Sequence, residues 1–471
     1  MSPEEFRRFA HESVDWIADY LSHPERYPVL PKIEPGQLVD ALPASGPERG
    51  EPMERLLEDF RSLIVPAITH WNHPGFMAYF ANTAPGPGII AELLSASLNA
   101  NAMLWKTSPA ATELEQVVLD WLRQWMGLPD DVFGIIYDTA STSSMHAIAA
   151  AREAADPQAR TLGASRGLTL YCSEEAHSSI EKGAIAIGIG QQYVRKIPVD
   201  AEFRMRPEEL AAAVEADIAA GLRPFCVVAT VGTTSTTSID PVPAIADIAA
   251  RHGLWLHVDA AYAGSAAIVP EFRHILNGAE RADSLVVNPH KWFFTPFDLS
   301  AFYTRRPDIL RRAFSLVPEY LRTAQDGRAV NYMDYGVPLG RRFRALKLWF
   351  VMRYFGHEKL ADMIRNQIAW AQELAAAVDA DPRFERTAPS PLSVVCFRYK
   401  GTDDENRRVL ETVNASGEFF LSHTVLRGKY TLHLAIGNMG TTRAHVMRAW
   451  EMVRRASLAS GERSSPTARL L

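Results

Sequence analysis

Two hydrophobic rhythms alternate along most of this chain. Short runs that are apolar at nearly every position, Phe133–Tyr137, Leu168–Cys172, Phe225–Thr230, Leu254–Val258, Ser284–Val287 and Leu299–Tyr303, predict strands buried on both faces. Ala-rich stretches with helical spacing lie between them, among them Met145–Ala155, Pro207–Ala220 and Pro243–His252. Strand–helix alternation of this kind predicts an α/β domain with a mostly parallel sheet covered by helices.

The flanks read differently. Phe6, Phe9, Val14, Ile17, Ala18 and Leu21 fall on one side of a helix over about 4–21, and a second helix is expected over about 53–68. Between them, Tyr27 to Pro52 is Pro-rich and without periodicity, as in a segment that wraps a larger body such as a second subunit. Residues about 306–340 are polar and broken by Pro307, Pro318, Gly327, Gly336 and Pro338, and long irregular loops in compact domains are often functional. A helix from about Arg342 to Tyr354 opens a smaller α+β region with strands at Val394–Arg398 and Tyr430–Ile436. The tail after about Ala459, rich in Ser, Arg and Pro, is expected to lack regular structure. Three parts result: an N-terminal helical and extended segment (1–83), a large α/β domain (84–345) and a small C-terminal α+β domain (346–471).

Composition narrows the function. The chain has 471 residues, a formal net charge of −6, and 47% hydrophobic and 22% charged residues, all ordinary for a globular protein. A nucleic-acid partner has no electrostatic support. Cys172, Cys226 and Cys396 lie far apart, with neither metal-ligand nor disulfide spacing, which fits a reducing cytoplasm and no bound metal. No apolar run approaches the roughly 18 residues of a membrane span, and the acidic N-terminus has no signal-peptide core.

Candidate chemistry gathers at the strand ends. Asn288-Pro289-His290-Lys291-Trp292 follows the run Leu285–Val287, and Asp259 ends the run Leu254–Val258. In open α/β sheets, ligands bind at the carboxyl ends of the strands. A lysine and an aspartate buried there suit pyridoxal phosphate: the lysine forms a Schiff base and the aspartate keeps the pyridine nitrogen protonated. Thr139-Ala140-Ser141-Thr142-Ser143-Ser144 lies between a strand and an Ala-rich helix, where small hydroxyl residues and helix N–H groups hold phosphate. His177 and the Thr233-Thr234 pair also follow strands, placed to stack on or bond to a planar ring. Trp71, Phe76, Tyr79 and Phe80 form an aromatic cluster around Pro74-Gly75 that suits an aromatic substrate.

Together these residues resemble the group II pyridoxal-phosphate decarboxylases, in particular the aromatic-L-amino-acid decarboxylase branch. The likeness runs through Glu5-Phe6-Arg7-Arg8, Thr69-His70-Trp71, Ser108–Glu115, His257–Gly264, Pro270-Glu271-Phe272-Arg273, Asn288–Trp292, Pro338–Arg344, Ala444-His445-Val446 and Ala449-Trp450-Glu451. It implies fold type I and a homodimer with its active sites at the interface. It also implies roles: Lys291 carries the cofactor, Asp259 pairs with its ring nitrogen, and His177 stacks on the ring. Thr139, Ala140, Ser141 and Asn288 hold the phosphate, while Thr234, Ala261 and His290 complete the cofactor contacts. In the family a tyrosine on a mobile loop protonates the carbanion left after decarboxylation; Tyr320, in Val317–Leu321, matches it. Relatives with phenylalanine there are aldehyde synthases, so Tyr320 favours simple decarboxylation, and histidine at 177 agrees. Substrate contacts implied are Trp71, Tyr79, Phe80, Asn82, Met103 and Gly340. Glycine at 340 leaves room for a large ring where histidine decarboxylases and plant tyrosine decarboxylases have serine.

The chain also departs from the family pattern. Asp138 and Thr142 replace a usual glycine and glutamate at the phosphate turn, Asn82 a threonine and Met103 a phenylalanine. An inward Asp138 carboxylate would repel a phosphate, so it is expected to face away or be paired. The activity expected is conversion of tryptophan, tyrosine, phenylalanine or dihydroxyphenylalanine to the arylalkylamine and carbon dioxide, with an aldehyde synthase or a non-catalytic homologue as the alternatives.

Overall fold

The computed structural model of the protein describes residues 1–316 and 329–462. The chain divides into two compact units, one of Met1–Ala81, Asp381–Glu385 and the chain from Phe397 onward, the other of Asn82–Ala380 and Arg386–Cys396.

The second unit holds a seven-stranded sheet. Its strands are β1 (Phe133–Tyr137), β2 (Leu168–Ser173), β3 (Val194–Ile197), β4 (Arg223–Thr230), β5 (Trp255–Asp259), β6 (Ser284–Val287) and β7 (Ser300–Thr304), in the order β1-β7-β6-β5-β4-β2-β3. The pairs β2/β3, β2/β4, β4/β5 and β5/β6 are parallel, and β7 runs antiparallel to both β6 and β1. The sheet is therefore mostly parallel, as the apolar runs predict. β3 was not foreseen: its residues are half-exposed, so it lacks the unbroken apolar signature.

Register aligns the carboxyl ends. Thr230 sits opposite Asp259, and Asp259 opposite Val286. Strands β1, β2, β4, β5 and β6 point the same way, so the segments following each of them emerge along one edge. The helix Ala140–Ala155 packs on strands β1 and β4–β7 with a face of alanines and Ile148. Small side chains let its axis approach the strands closely.

The helix expected to end near Tyr354 continues to Ala380, with one break at Gly356. Gly356 has φ of +72°, a left-handed conformation that glycine adopts without steric cost, so the chain turns there and resumes the helix. Residues 306–340 are less irregular than their composition suggests: Pro307–Phe314 is a helix with proline in its first turn, and Tyr332–Tyr335 forms a short 3-10 turn. Val317–Arg328 and the tail beyond Glu462 lie outside the described residues. The last helix, Arg443–Glu462, extends slightly into the region expected to lack structure.

The first unit opens with the helix Pro3–Ser22, held by a capping box between Ser2 and Glu5. The second expected helix is regular over Met53–Asp59, widens into a π-turn at Phe60–Ile64 and closes as a 3-10 turn, Val65–Ala67, that contains Pro66. The intervening Pro-rich stretch contains one short helix, Gln37–Ala41. Strands β8 (Phe384–Arg386), β9 (Val394–Tyr399), β10 (Ser422–Leu426) and β11 (Lys429–Ala435) form a sheet in the order β10-β11-β9-β8. β10 and β11 make a hairpin through Arg427 and Gly428, both at positive φ. β10 escaped the sequence pattern because its alternating residues are partly exposed. No helix among the described residues is long and apolar enough to cross a membrane.

One buried ion pair fastens β1. Arg341 donates to Glu115 at 2.6 Å and to the Ile136 carbonyl at 2.8 Å, while the Ile136 N–H donates to Glu115 at 2.8 Å. Both side chains are under 10% exposed. Breaking such a pair leaves a buried charge unmatched. Glu115→Ala should therefore lower stability by about 3 kcal/mol, read as a shift in urea midpoint by circular dichroism; an unchanged midpoint would show that solvent reaches Arg341.

Candidate active site

Lys291 follows β6 after a tight turn in which its N–H donates to the Asn288 carbonyl at 2.9 Å. The side chain is half-buried, and desolvation by the surrounding protein lowers its pKa below that of a free lysine, opposed by attraction from the Asp259 carboxylate. The ammonium is thus biased toward the neutral amine that can act as a nucleophile.

Asp259 closes β5 and is 5% exposed. The Ala261 N–H donates to its Oδ1 at 3.1 Å, and the Ala261 carbonyl accepts the Asn288 N–H at 2.9 Å. One residue, Ala261, thereby links the carboxylate to the turn that carries Lys291. Gly264 is needed just beyond: a Cβ there would lie 2.5 Å from Val287 Cγ2.

His177 follows β2 and caps the helix Ser178–Ala186. Its Nδ1 accepts from the Ser179 N–H at 3.2 Å and lies 2.8 Å from Ser179 Oγ, which leaves the ring proton on Nε2. The residue is exposed, yet desolvation by the surrounding protein and then the Lys291 charge lower its pKa, against the pull of Asp259. The ring is therefore a neutral, flat surface held at the same strand edge.

The turn expected to hold phosphate is part of a helix N-terminus. Thr139 caps the helix Ala140–Ala155 through its Oγ1, 3.5 Å from the Thr142 N–H. Ala140 and Ser141 occupy the first turn, whose N–H groups have no intrahelical carbonyl. The Asp138 carboxylate is paired: it accepts the Thr139 N–H at 2.5 Å and lies 3.4 Å from Thr139 Oγ1.

The hydroxyl run does not act as one cradle. Ser143 faces Ser300 of β7 at 2.7 Å, and Ser144 faces His257 Nε2 of β5 at 3.2 Å. His146 donates from Nδ1 to the Thr142 carbonyl at 2.6 Å and accepts the Val337 N–H on Nε2 at 3.0 Å. These residues anchor the helix and went unrecognised in the sequence. The signal was present in the helical spacing, which puts them on the face that packs on the sheet, where polar atoms require partners.

Thr234 lies exposed on the loop after β4, while Thr233 is buried and bonded to Thr236 and to the Ser238 N–H. Among the substrate candidates, Trp71, Phe76 and Tyr79 stack with centroids 4.3 to 6.3 Å apart in the first unit, joined by Phe420; Phe80 is half-buried beside them. In the second unit, Asn101 accepts the Arg341 N–H at 3.0 Å, and its Nδ2 lies 3.7 Å from Met103 Sδ and from the Cβ that Gly340 lacks. Met103 and Gly340 thus meet at Asn101. Asn82 is half-buried at the start of this unit. Tyr320 lies outside the described residues. Trp292 is a packing residue, stacked on Tyr262 at 4.6 Å and donating to Gln367 at 2.6 Å.

Residues 35–400 match the pyridoxal-dependent decarboxylase conserved domain. The chain belongs to the pyridoxal-dependent decarboxylase family. It is 42% identical to a phenylacetaldehyde synthase of Arabidopsis thaliana, over 96% of each chain. It is equally 42% identical to a tryptophan decarboxylase of Camptotheca acuminata, over 96% of this chain and 95% of that one. An Oryza sativa TDC solved with PLP and tryptamine superposes with a TM-score of 0.94 at 38% identity, over 98% of this chain and 99% of that one. The fold is type I, and the enzyme uses pyridoxal 5'-phosphate. The residues fit that group: a desolvated amine influenced by a carboxylate, a neutral imidazole, a helix N-terminus, and a buried Asn288 amide with one end lacking a protein partner.

His146 in the helix Ala140–Ala155 and His257 on β5 beneath it contribute a pH dependence. Burial pushes His146 and His257 down to about 4, below the free imidazole value of about 6.5. Between those values the unfolded chain binds more protons, so stability falls as pH drops from about 6.5 toward 4. His257→Gln should flatten the loss between about pH 6.5 and 5. Urea midpoints across that range check it; an unaltered slope would mean that His257 is not held neutral.

Proposed function

We propose that the enzyme decarboxylates an aromatic L-amino acid, tryptophan, tyrosine, phenylalanine or dihydroxyphenylalanine, to the arylalkylamine and carbon dioxide. The observation that carries this reading is the desolvated Lys291 amine under the electrostatic influence of the buried Asp259 carboxylate, at one strand edge of a pyridoxal-dependent decarboxylase. The aromatic substrate class is supported by the relatives' named activities and by the stack of Trp71, Phe76 and Tyr79.

Bound pyridoxal phosphate supplies the sink for the electron pair left when the carboxylate departs. Lys291 would hold the cofactor and yield its place to the substrate amine. Asp259 would keep the ring nitrogen protonated, and His177 would lie flat on the ring. Thr139, Ala140, Ser141 and Asn288 would hold the phosphate, with Thr234, Ala261 and His290 as further contacts. Tyr320 would deliver the proton to Cα. Trp71, Tyr79, Phe80, Asn82, Met103 and Gly340 are the proposed substrate contacts.

The enzyme is proposed to be a cytoplasmic homodimer. The helix Gly86–Leu98 supports the dimer, because Ile90, Leu94 and Leu98 form an exposed apolar stripe at helical spacing, at odds with a free surface. The three-part division at 83/84 and 345/346 stands as a proposal for folding domains, with residues 1–83 wrapping the partner. Light scattering should give twice the chain mass, and Leu94→Glu should shift it toward the monomer; a wild-type monomer would end the dimer reading.

A second reading, aldehyde synthesis with oxygen consumption, is favoured by the similarity to a phenylacetaldehyde synthase. Aerobic incubation of the holoenzyme with an equimolar mixture of the four amino acids separates the two. Amines are expected by mass spectrometry, and Tyr320→Phe should move product toward aldehyde. Aldehyde and hydrogen peroxide from the unaltered enzyme would overturn the decarboxylase assignment.

A further inference from the structure

Asn288 and His290 lie on the turn before Lys291, 2% and 3% exposed. The Leu299 N–H donates to His290 Nδ1 at 2.9 Å. Burial, reinforced by the Lys291 charge, pushes His290 down to about 3, so the ring is neutral and carries one N–H. With Nδ1 accepting, that proton sits on Nε2.

His290 Nε2 faces the Asn288 amide at 3.3 Å. An N–H facing an NH₂ group makes no hydrogen bond; the amide atom that satisfies Nε2–H is the oxygen. Which end of an asparagine amide faces a partner is settled by the surrounding hydrogen bonds. With Nδ2 toward His290, Oδ1 is left buried without a partner. A half-turn of the amide resolves the conflict: Oδ1 accepts from Nε2–H, and Nδ2 points to the place Oδ1 had occupied. A buried donor there calls for an acceptor, and a phosphate offers only acceptors near neutral pH.

We propose that His290 is a positioning residue: its Nε2–H holds Asn288 Oδ1 and thereby turns Nδ2 toward the cofactor phosphate. The inference rests on the proposed assignment of Asn288 to the phosphate. His290 is itself held by Leu299 and packs against Phe297, with ring centroids 4.9 Å apart. The cofactor's phosphate would thus be read through a relay from the strand β7 side of the sheet.

The test is cofactor binding by the full-length enzyme, stripped and titrated with pyridoxal phosphate or with pyridoxal, which lacks the phosphate. Asn288→Ala should weaken pyridoxal phosphate about ten- to a hundredfold and leave pyridoxal unchanged. His290→Phe should cause a comparable phosphate-specific loss, and the double variant little more than either alone. His290→Gln, which keeps a donor near the Nε2 position, should recover most of the affinity. Multiplicative losses in the double variant would place His290 directly on the phosphate and overturn the relay. A loss shared by pyridoxal would reduce His290 to a packing role and overturn it as well. Unaltered binding by Asn288→Ala would remove the assignment of Asn288, and the relay with it; unaltered binding by His290→Phe alone would remove only the relay.

Discussion

Everything at the strand edge answers to one constraint: an amine withdrawn from water is costly to keep charged. Lys291 is half-buried and desolvated, which lowers its pKa, while the Asp259 carboxylate favours the charge. Desolvation is the larger of the two opposing effects. Holding that balance requires Asp259 and Lys291 to be fixed relative to each other, which the backbone does. The β5/β6 register sets the strands, and Ala261 ties the Asp259 carboxylate to the Asn288 turn. Side chains alone, with their rotamer freedom, would not maintain it.

Asp138 stands beside the turn proposed to hold a dianion, but its carboxylate is engaged by the Thr139 N–H and hydroxyl. An engaged carboxylate has its lone pairs directed into the turn, and the helix N-terminus further offsets its charge. A substitution that looks hostile in sequence is thus absorbed by local geometry.

Much of this was legible in the sequence because it depended on period and position. Uninterrupted apolar runs located six of the seven strands of the large sheet, and candidate residues after them, Lys291, Asp259, His177 and the Thr139 turn, lie at the strand ends in the structure. What escaped notice depended on partners distant in sequence. β3 and β10 are half-exposed strands whose stability comes from their neighbours, so their own residues carry little pattern. Ser143 and Ser144 read as phosphate ligands in a run of hydroxyls, but a helix turns successive residues by about 100°, and these two face the sheet. Pro307–Phe314 read as loop because proline was taken as a breaker, whereas in the first helical turn it lacks nothing.

The anchoring of the helix Ala140–Ala155 has a consequence for affinity. Ser143, Ser144 and His146 tie its first turns to β7, β5 and the Val337 backbone. A loop that becomes ordered only on meeting a phosphate loses conformational entropy at that moment. Here the ordering has been completed during folding, by the burial of a helix and three uncharged hydrogen-bonding side chains. The N-terminal dipoles already point to the proposed phosphate position, and none of the three anchors adds a charge that an anion there must overcome. Cofactor capture is in this sense preorganised: its entropic cost is charged to the stability of the fold rather than to the binding step.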